Sequence, residues 1–194
     1  MGKPSTLKAM QDSFVGLKMY RWEYIRIATE ELGVEIHELA EIGVDTGMFT
    51  FHARRYWPNA IMHLVDPWED YEDYRKPSGG NTFKTQIEAN GRFNKVYLRF
   101  GSDPNVKIWR MMSTQASAEI PNFSLDLVFI DANHSYEYAK IDIKEWLPKV
   151  RPGGLLTGHD YYGYNGVRKA VDELLPRSVV ASGKNKGDVW IHIA

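Results

Sequence analysis

Hydrophobic residues along this chain fall into two patterns, short continuous runs and longer amphipathic segments that alternate with them. A short apolar run bounded by turn residues is typical of a buried strand, and Leu-Asp-Leu-Val-Phe-Ile at 125–130 is the clearest example. The same pattern predicts strands at residues 36–42, 61–65, 95–100, 125–130, 155–158, 178–181 and 188–193. The last two flank a glycine-containing turn, so we expect them to pair as a hairpin.

The amphipathic segments repeat their apolar residues at helical spacing. They predict helices at residues 14–32, 48–56, 82–90, 105–117, 135–147 and 166–175, with Gly33 ending the first. Strands that alternate with helices predict an α/β fold with a doubly wound, mostly parallel, seven-stranded sheet of Rossmann-like type and an antiparallel C-terminal hairpin. We expect one domain over residues 1–194. Residues 1–33 would form an N-terminal helical segment. The polar, aromatic insertion at 68–80 and the first 20 residues are the candidates for a substrate lid.

Composition and charge exclude several classes of partner and of chemical site. With 43% hydrophobic residues and a formal net charge of −1, the chain gives no reason to expect nucleic acid or a membrane as partner. The absence of cysteine excludes disulfides, thiolate metal sites and a cysteine nucleophile. No apolar run approaches the roughly 20 residues that span a bilayer, and the N-terminus lacks the apolar core of a signal peptide. We therefore expect a cytoplasmic protein that acts on a small molecule, alone or as a homo-oligomer.

Acidic and imidazole side chains follow two of the predicted strands. Asp131 and His134 come after the fourth strand, and His159 and Asp160 come after the fifth. A helix joins these strands, so parallel pairing would place both ends at one edge of the sheet, where open α/β sheets bind ligands. We expect the four side chains to converge there and to bind a metal or move a proton. Asp142, on the joining helix, is expected on its solvated face.

A glycine turn follows the first predicted strand, in the sequence Glu41-Ile-Gly43-Val-Asp-Thr-Gly47. Asp66 ends the second strand about 20 residues later, the spacing of an acid that binds ribose hydroxyls. The turn is not G-x-G-x-x-G, which makes a pyrophosphate-bearing dinucleotide less expected. The pattern predicts a nucleoside cofactor.

A short polar loop, Gly101-Ser102-Asp103, follows the predicted third strand. Its position at the same edge of the sheet would allow Ser102 or Asp103 to meet the amino group of an adenine. The competing interpretation is an ordinary turn.

The order of these motifs carries a family resemblance. From Glu-x-Gly-x-x-x-Gly through Gly-Ser-Asp to IDANHSY and GGLLTGHDY, the chain resembles the class I S-adenosylmethionine-dependent methyltransferases over nearly the whole domain. The last two motifs resemble the small-molecule O-methyltransferases of the macrocin O-methyltransferase and catechol-type group. The resemblance implies that Gly43 and Gly47 surround the methionine end of the cofactor, that Glu41 meets its amino group and that Asp66 binds its ribose. It also implies that Ser102 or Asp103, in the loop at 101–103, binds the adenine.

The resemblance also implies a metal site and a base. Catechol-type enzymes hold Mg²⁺ with an acid after strand four and an acid–amide pair after strand five, so Asp131, His159 and Asp160 are candidate ligands of Mg²⁺ or Mn²⁺. His159 suits Mg²⁺ poorly. His134 stands where those enzymes place a lysine base and is the candidate general base, with His159 as the alternative. Asp131 is also expected to contribute to catalysis and to contact the cofactor.

The sequence therefore predicts an enzyme that methylates a hydroxyl oxygen of a small polar molecule, such as a sugar or a glycosylated metabolite. Two other classes stay open. One is an NAD-type oxidoreductase on a Rossmann sheet, which the glycine turn and the His-Asp strand end disfavour. The other is a non-catalytic module that retains a nucleoside pocket.

Overall fold

The computed structural model of the protein describes residues 14, 17, 19–80, 83–181 and 188–194. Within them, seven strands form one sheet in the order β3-β2-β1-β4-β5-β7-β6. The strands are β1 Glu38–Ile42, β2 Ile61–Val65, β3 Val106–Trp109, β4 Leu125–Ile130, β5 Val150–His159, β6 Val179–Ala181 and β7 Val189–Ile193. Strands β1 to β5 are parallel, whereas β7 runs antiparallel to both β5 and β6. The predicted fold class is confirmed, and the turn predicted at 183–187 lies outside the described residues.

Helices cover the sheet. They are α1 Arg21–Leu32, α2 Met48–Tyr56, α3 Glu72–Arg75, α4 Gln86–Phe100, α5 Ser113–Glu119, α6 Tyr136–Trp146 and α7 Asn165–Leu174, with 3-10 turns at Pro77–Gly79 and Leu147–Lys149. At the start of α1 the backbone N–H of Tyr20 donates to Glu23 Oε2 at 2.7 Å. Gly33 ends the helix with φ 69°, as predicted, in the left-handed region that glycine tolerates. The helix begins at Arg21 and not at residue 14 as predicted, since Leu17, Met19 and Tyr20 are not helical.

The central strand explains why the sheet is buried on both faces. All residues of β4 are buried, and it lies between β1 and β5. Leu127 and Phe129 belong to one hydrophobic cluster, whereas Val128 and Ile130 belong to another. Successive side chains point to opposite faces of a strand, so the two clusters cover the two faces. Parallel order then brings the carboxyl ends of β1, β2, β4 and β5 to one edge.

The prediction for residues 82–117 is wrong. The segment expected as a helix and then a strand is one helix, α4, and the segment expected as a helix contains β3 and α5. Val96 and Phe100 are buried on one side of α4, whereas Tyr97 and Leu98 are 58% and 84% exposed. The apolar run that resembles a strand is therefore one face of a helix plus exposed residues. As a result, the loop at 101–103 precedes β3 and lies at the edge opposite the predicted site.

The insertion at 68–80 packs against the strand ends instead of extending into solvent. Trp68 is fully buried, its backbone N–H donates to Asp66 Oδ1 at 2.7 Å, and its indole N–H donates to the Asp45 carbonyl at 2.9 Å. This tryptophan anchors the start of the insertion. Among the described residues, no helix combines the length and the apolar character needed to cross a membrane.

Candidate active site

A cavity of about 440 Å³ opens at the carboxyl ends of the parallel strands. Its volume is within the range of sites for small molecules and cofactors. The predicted site residues that line it are Glu41, Gly43, Asp66, Asp131, His134, His159 and Asp160. Gly47, Ser102 and Asp103 do not line it.

Two buried acids stand on the β1 and β2 side of this cavity. Glu41 is 2% exposed and accepts a hydrogen bond from the Thr50 hydroxyl. Burial raises its pKa to about 8, and the Thr50 hydrogen bond and the Arg21 charge only partly oppose this. Asp66 accepts from the backbone N–H groups of Asp45 at 2.9 Å and Trp68 at 2.7 Å, and burial raises its pKa to about 6. The backbone bonds fix the Asp66 carboxylate at the cavity wall.

The glycines of the turn are required by packing. Gly43 has φ +88°, and a Cβ there would lie 2.1 Å from the Asp131 carbonyl oxygen. Its absence lets the turn after β1 lie against the backbone after β4, which brings Glu41 and Asp131 to the same cavity. Gly47 begins α2 with φ +75°, and a Cβ there would lie 2.9 Å from the Phe100 ring. Gly43 is thus at the cavity wall, whereas Gly47 positions the helix behind it.

The prediction that Ser102 or Asp103 meets an adenine is wrong. Asp103 lies before β3, and its carboxylate accepts two parallel hydrogen bonds from Arg54, from Nε at 2.9 Å and from an Nη at 2.6 Å. This is a structural ion pair at the edge of the sheet opposite the cavity. The residues that follow β3 and line the cavity are Met112 and Ser113, both of which were predicted to lie inside a helix.

The acids and imidazoles after β4 and β5 converge as predicted. His159 Nδ1 lies 3.5 Å from Asp131 Oδ1 and 3.1 Å from Asp160 Oδ2. Burial disfavours the His159 cation, but the two carboxylates outweigh it and raise the pKa of His159 to about 10. Burial likewise opposes ionisation of Asp131, yet contacts with His134 and His159 hold its pKa well below its usual range. At neutral pH, His159 is therefore a cation between two carboxylates.

His134 has a different environment from His159. Its Nε2 lies 3.1 Å from Asp160 Oδ2 and 3.5 Å from Asp131 Oδ1. Neither ring nitrogen makes a hydrogen bond of good geometry within the described part of the chain. The ring packs against Tyr164 at 4.2 Å between centroids and against Gly80, where a Cβ would lie 2.0 Å from Nδ1. The insertion thus holds the imidazole in place without occupying its nitrogens.

This cluster fits a divalent cation. Asp131, His134 and Asp160 each offer a ligand atom, and these atoms lie within 4.8 Å of one another, as do those of His159, Asp160 and Asp188. Ligand atoms that share one ion at about 2.1 Å lie roughly 3 Å apart, which matches the oxygen-to-nitrogen distances above. A mixed imidazole and carboxylate set suits Mn²⁺, Fe²⁺ or Zn²⁺ better than Mg²⁺.

Several lining residues were not predicted. An aromatic wall lines the cavity on the insertion side, formed by Tyr71, Tyr74, Phe83 and Tyr138. The rings of Tyr71 and Tyr74 stack at 5.4 Å. The many aromatic residues of the insertion did not show which of them would form this wall.

Asp142, expected on a solvated face, is buried at the cavity, and burial raises its pKa to about 7. Arg21, from the first turn of α1, also reaches the cavity.

Comparison with known proteins identifies the family of this chain. The model of the methyltransferase domain family Methyltransf_24 matches residues 40–161, which is more than half of the chain. The chain belongs to this family. The predicted resemblance to class I S-adenosylmethionine-dependent methyltransferases is thereby confirmed for family and fold.

Individual relatives are more distant. The chain is 33% identical over 96 residues to the uncharacterized protein y4gI of Sinorhizobium fredii, covering 50% of this chain and 10% of that protein. It therefore spans about a tenth of that relative's length. The structure is similar to the O-methyltransferase NovP, with a TM-score of 0.64 and 18% identity over 90% of this chain and 80% of that one. It is also similar to the methyltransferase PaMTH1 of Podospora anserina, solved with S-adenosylhomocysteine, with a TM-score of 0.60 and 13% identity over 100% and 90% of the two chains.

Proposed function

We propose that this protein transfers a methyl group from S-adenosylmethionine to a hydroxyl oxygen of a small polar molecule. One observation carries the proposal. A single cavity joins the two buried acids at the ends of β1 and β2 to the acid and imidazole cluster at the ends of β4 and β5. The first pair suits a nucleoside cofactor, and the second suits deprotonation of an acceptor. When bound, S-adenosylmethionine supplies a sulfonium methyl group for in-line displacement.

The residues present fit that cofactor. The remaining lone pairs of the Asp66 carboxylate are available to the two ribose hydroxyls, since its backbone bonds use only part of its accepting capacity. Glu41 would pair with the methionine ammonium. Met112 and Ser113 replace the loop at 101–103 as the residues beside the adenine. In all three contacts, the protein mainly orients the reactants.

His134 is the proposed general base. Its ring nitrogens make no hydrogen bond of good geometry with described residues, so Nε2 can accept the hydroxyl proton. The carboxylates of Asp131 and Asp160, 3.5 and 3.1 Å from Nε2, would stabilise the imidazolium that forms. His159 already carries a proton at neutral pH, because both carboxylates raise its pKa to about 10. Neither nitrogen of His134 makes a hydrogen bond of good geometry with these same carboxylates, so we prefer His134 to His159 as base.

A divalent cation is a separate part of the proposal. Asp131 and Asp160 would hold it, with His159 as the third ligand after loss of its proton, and His134 would act as the base and not as a ligand. When bound, such an ion lowers the pKa of a coordinated hydroxyl. The acceptor itself would lie against the aromatic wall, whose faces suit the ring of a sugar or an aromatic compound.

The test is turnover with isotopically labelled S-adenosylmethionine and a panel of hydroxyl compounds, read by product mass. A positioned base contributes about 10²- to 10⁴-fold, so His134→Ala should lower kcat by about that factor and leave the Kd of S-adenosylhomocysteine nearly unchanged. His37→Ala is the matched control, because His37 is an exposed histidine outside the cavity. Full kcat in His134→Ala would refute the base assignment. Cofactor binding without methylation of any compound would favour the non-catalytic module.

A further inference from the structure

Arg21 places a positive charge inside the cavity. It is the first residue of α1, and one Nη lies 3.4 Å from Asp131 Oδ2. Among the described residues that line the cavity, it is the only arginine or lysine. The sequence pattern gave no indication of this role, since residue 21 belongs to a segment expected only as a helix.

The hydrogen bonding of Arg21 is incomplete. Its Nε is buried and finds no hydrogen-bond acceptor among the residues that the structure describes. A buried donor without a partner is unfavourable, and it is unusual in native proteins. The guanidinium also presents its donors as a planar fork that matches a carboxylate. An anionic ligand group is the simplest partner for this side chain.

The charges around Arg21 indicate which ligand group that is. The methionine end of S-adenosylmethionine is a zwitterion, so it needs anionic side chains for its ammonium and a cationic side chain for its carboxylate. Asp131 supplies one carboxylate in the cavity, and Glu41 supplies a second once it loses its proton. Arg21 Nη lies 3.4 Å from the Asp131 carboxylate, and Arg21 and Glu41 line the same cavity.

We propose that Arg21 binds the methionine carboxylate of S-adenosylmethionine and so selects ligands that carry an intact amino acid end. This inference rests on the proposed function. The alternative partner of Arg21 is an anionic group on the methyl acceptor. The experiment must distinguish this group from the methionine carboxylate.

The experiment compares two ligands by calorimetry, S-adenosylhomocysteine and its decarboxylated analogue, which keeps the amino group. The wild-type protein should prefer S-adenosylhomocysteine by about 10- to 100-fold, the range of a charge-assisted hydrogen-bonded pair. Arg21→Met should reduce that preference to within about threefold. Arg21→Lys, which keeps the charge and loses the fork, should retain part of it and serves as the second variant if the methionine variant folds poorly.

Arg26→Met is the matched control. Arg26 lies on the same helix, pairs with Glu30 at 2.6 Å and does not line the cavity, so its loss should leave the preference unchanged. The inference is overturned if Arg21→Met keeps the wild-type preference, if it weakens both ligands equally, or if it changes only the KM of the acceptor. Failure of the wild-type protein to bind S-adenosylhomocysteine would instead refute the proposed function, and the inference with it.

Discussion

Glu41 should make cofactor binding depend on pH. Burial raises the pKa of Glu41 to about 8 from an ordinary 4.5, so in the free protein at pH 7 roughly one carboxyl group in ten is ionised. Only the carboxylate can pair with the methionine ammonium, so binding must remove the proton. The Kd of S-adenosylhomocysteine should therefore fall close to tenfold per pH unit below pH 8 and level off above it. Each tenfold step corresponds to about 1.4 kcal/mol.

The assay is calorimetry between pH 6 and 8.5 in two buffers with different enthalpies of ionisation. At pH 7 the wild-type protein should release nearly one proton on binding, and Glu41→Gln should show neither the proton release nor the slope. Glu38→Gln is the control, because Glu38 lies on the same strand, pairs with His63 at 2.7 Å and does not line the cavity. A flat wild-type profile, or an equal slope in Glu41→Gln, would refute the reasoning.

Two further predictions concern the cation and the stability of the fold. Asp160→Asn should abolish the uptake of Mn²⁺ seen by calorimetry while His134→Ala retains it; uptake by the Asn variant would contradict the ligand assignment. Burial raises the pKa of Asp142 to about 7 from 3.8, so the folded state binds this proton more tightly than the unfolded chain. Its contribution to stability is complete below about pH 4 and is lost as the pH rises through 7. Asp142→Asn should therefore raise the melting temperature relative to wild type by an amount that grows from pH 4 to 7, and a pH-independent difference would contradict this.

The site residues that could be predicted from the sequence are those that come directly after a strand. Asp131 comes immediately after a continuous apolar run, and strand β4 was predicted with its observed bounds. Once strands and helices alternate, parallel order brings Asp66, Asp131 and Asp160 to one edge without any knowledge of side-chain packing. The convergence of acids and imidazoles therefore followed from topology alone.

The residues that line the cavity after β3 could not be predicted, because their position depended on one ambiguous apolar run. Residues 96–100 are compatible with a strand or with one face of a helix, and periodicity in a short run does not separate the two. Because this run was predicted as a strand, Ser102 and Asp103 were expected after β3. They precede it and lie at the opposite edge of the sheet. Arg21 and Asp142 were missed for another reason. The position of Arg21 at the cavity and the burial of Asp142 depend on how helices pack against the sheet, which local sequence does not encode.

Thermal melting with two ligands distinguishes a methyltransferase from a nicotinamide-dependent oxidoreductase. At 100-fold excess over its Kd, a ligand of the native state adds about 2.7 kcal/mol, which is roughly 5–10 °C for a domain of this size. The account predicts a rise of that order with S-adenosylhomocysteine, almost none with NAD, and a much smaller rise with S-adenosylhomocysteine in Asp66→Ala. A protein whose melting temperature responds to NAD and not to S-adenosylhomocysteine would contradict the account.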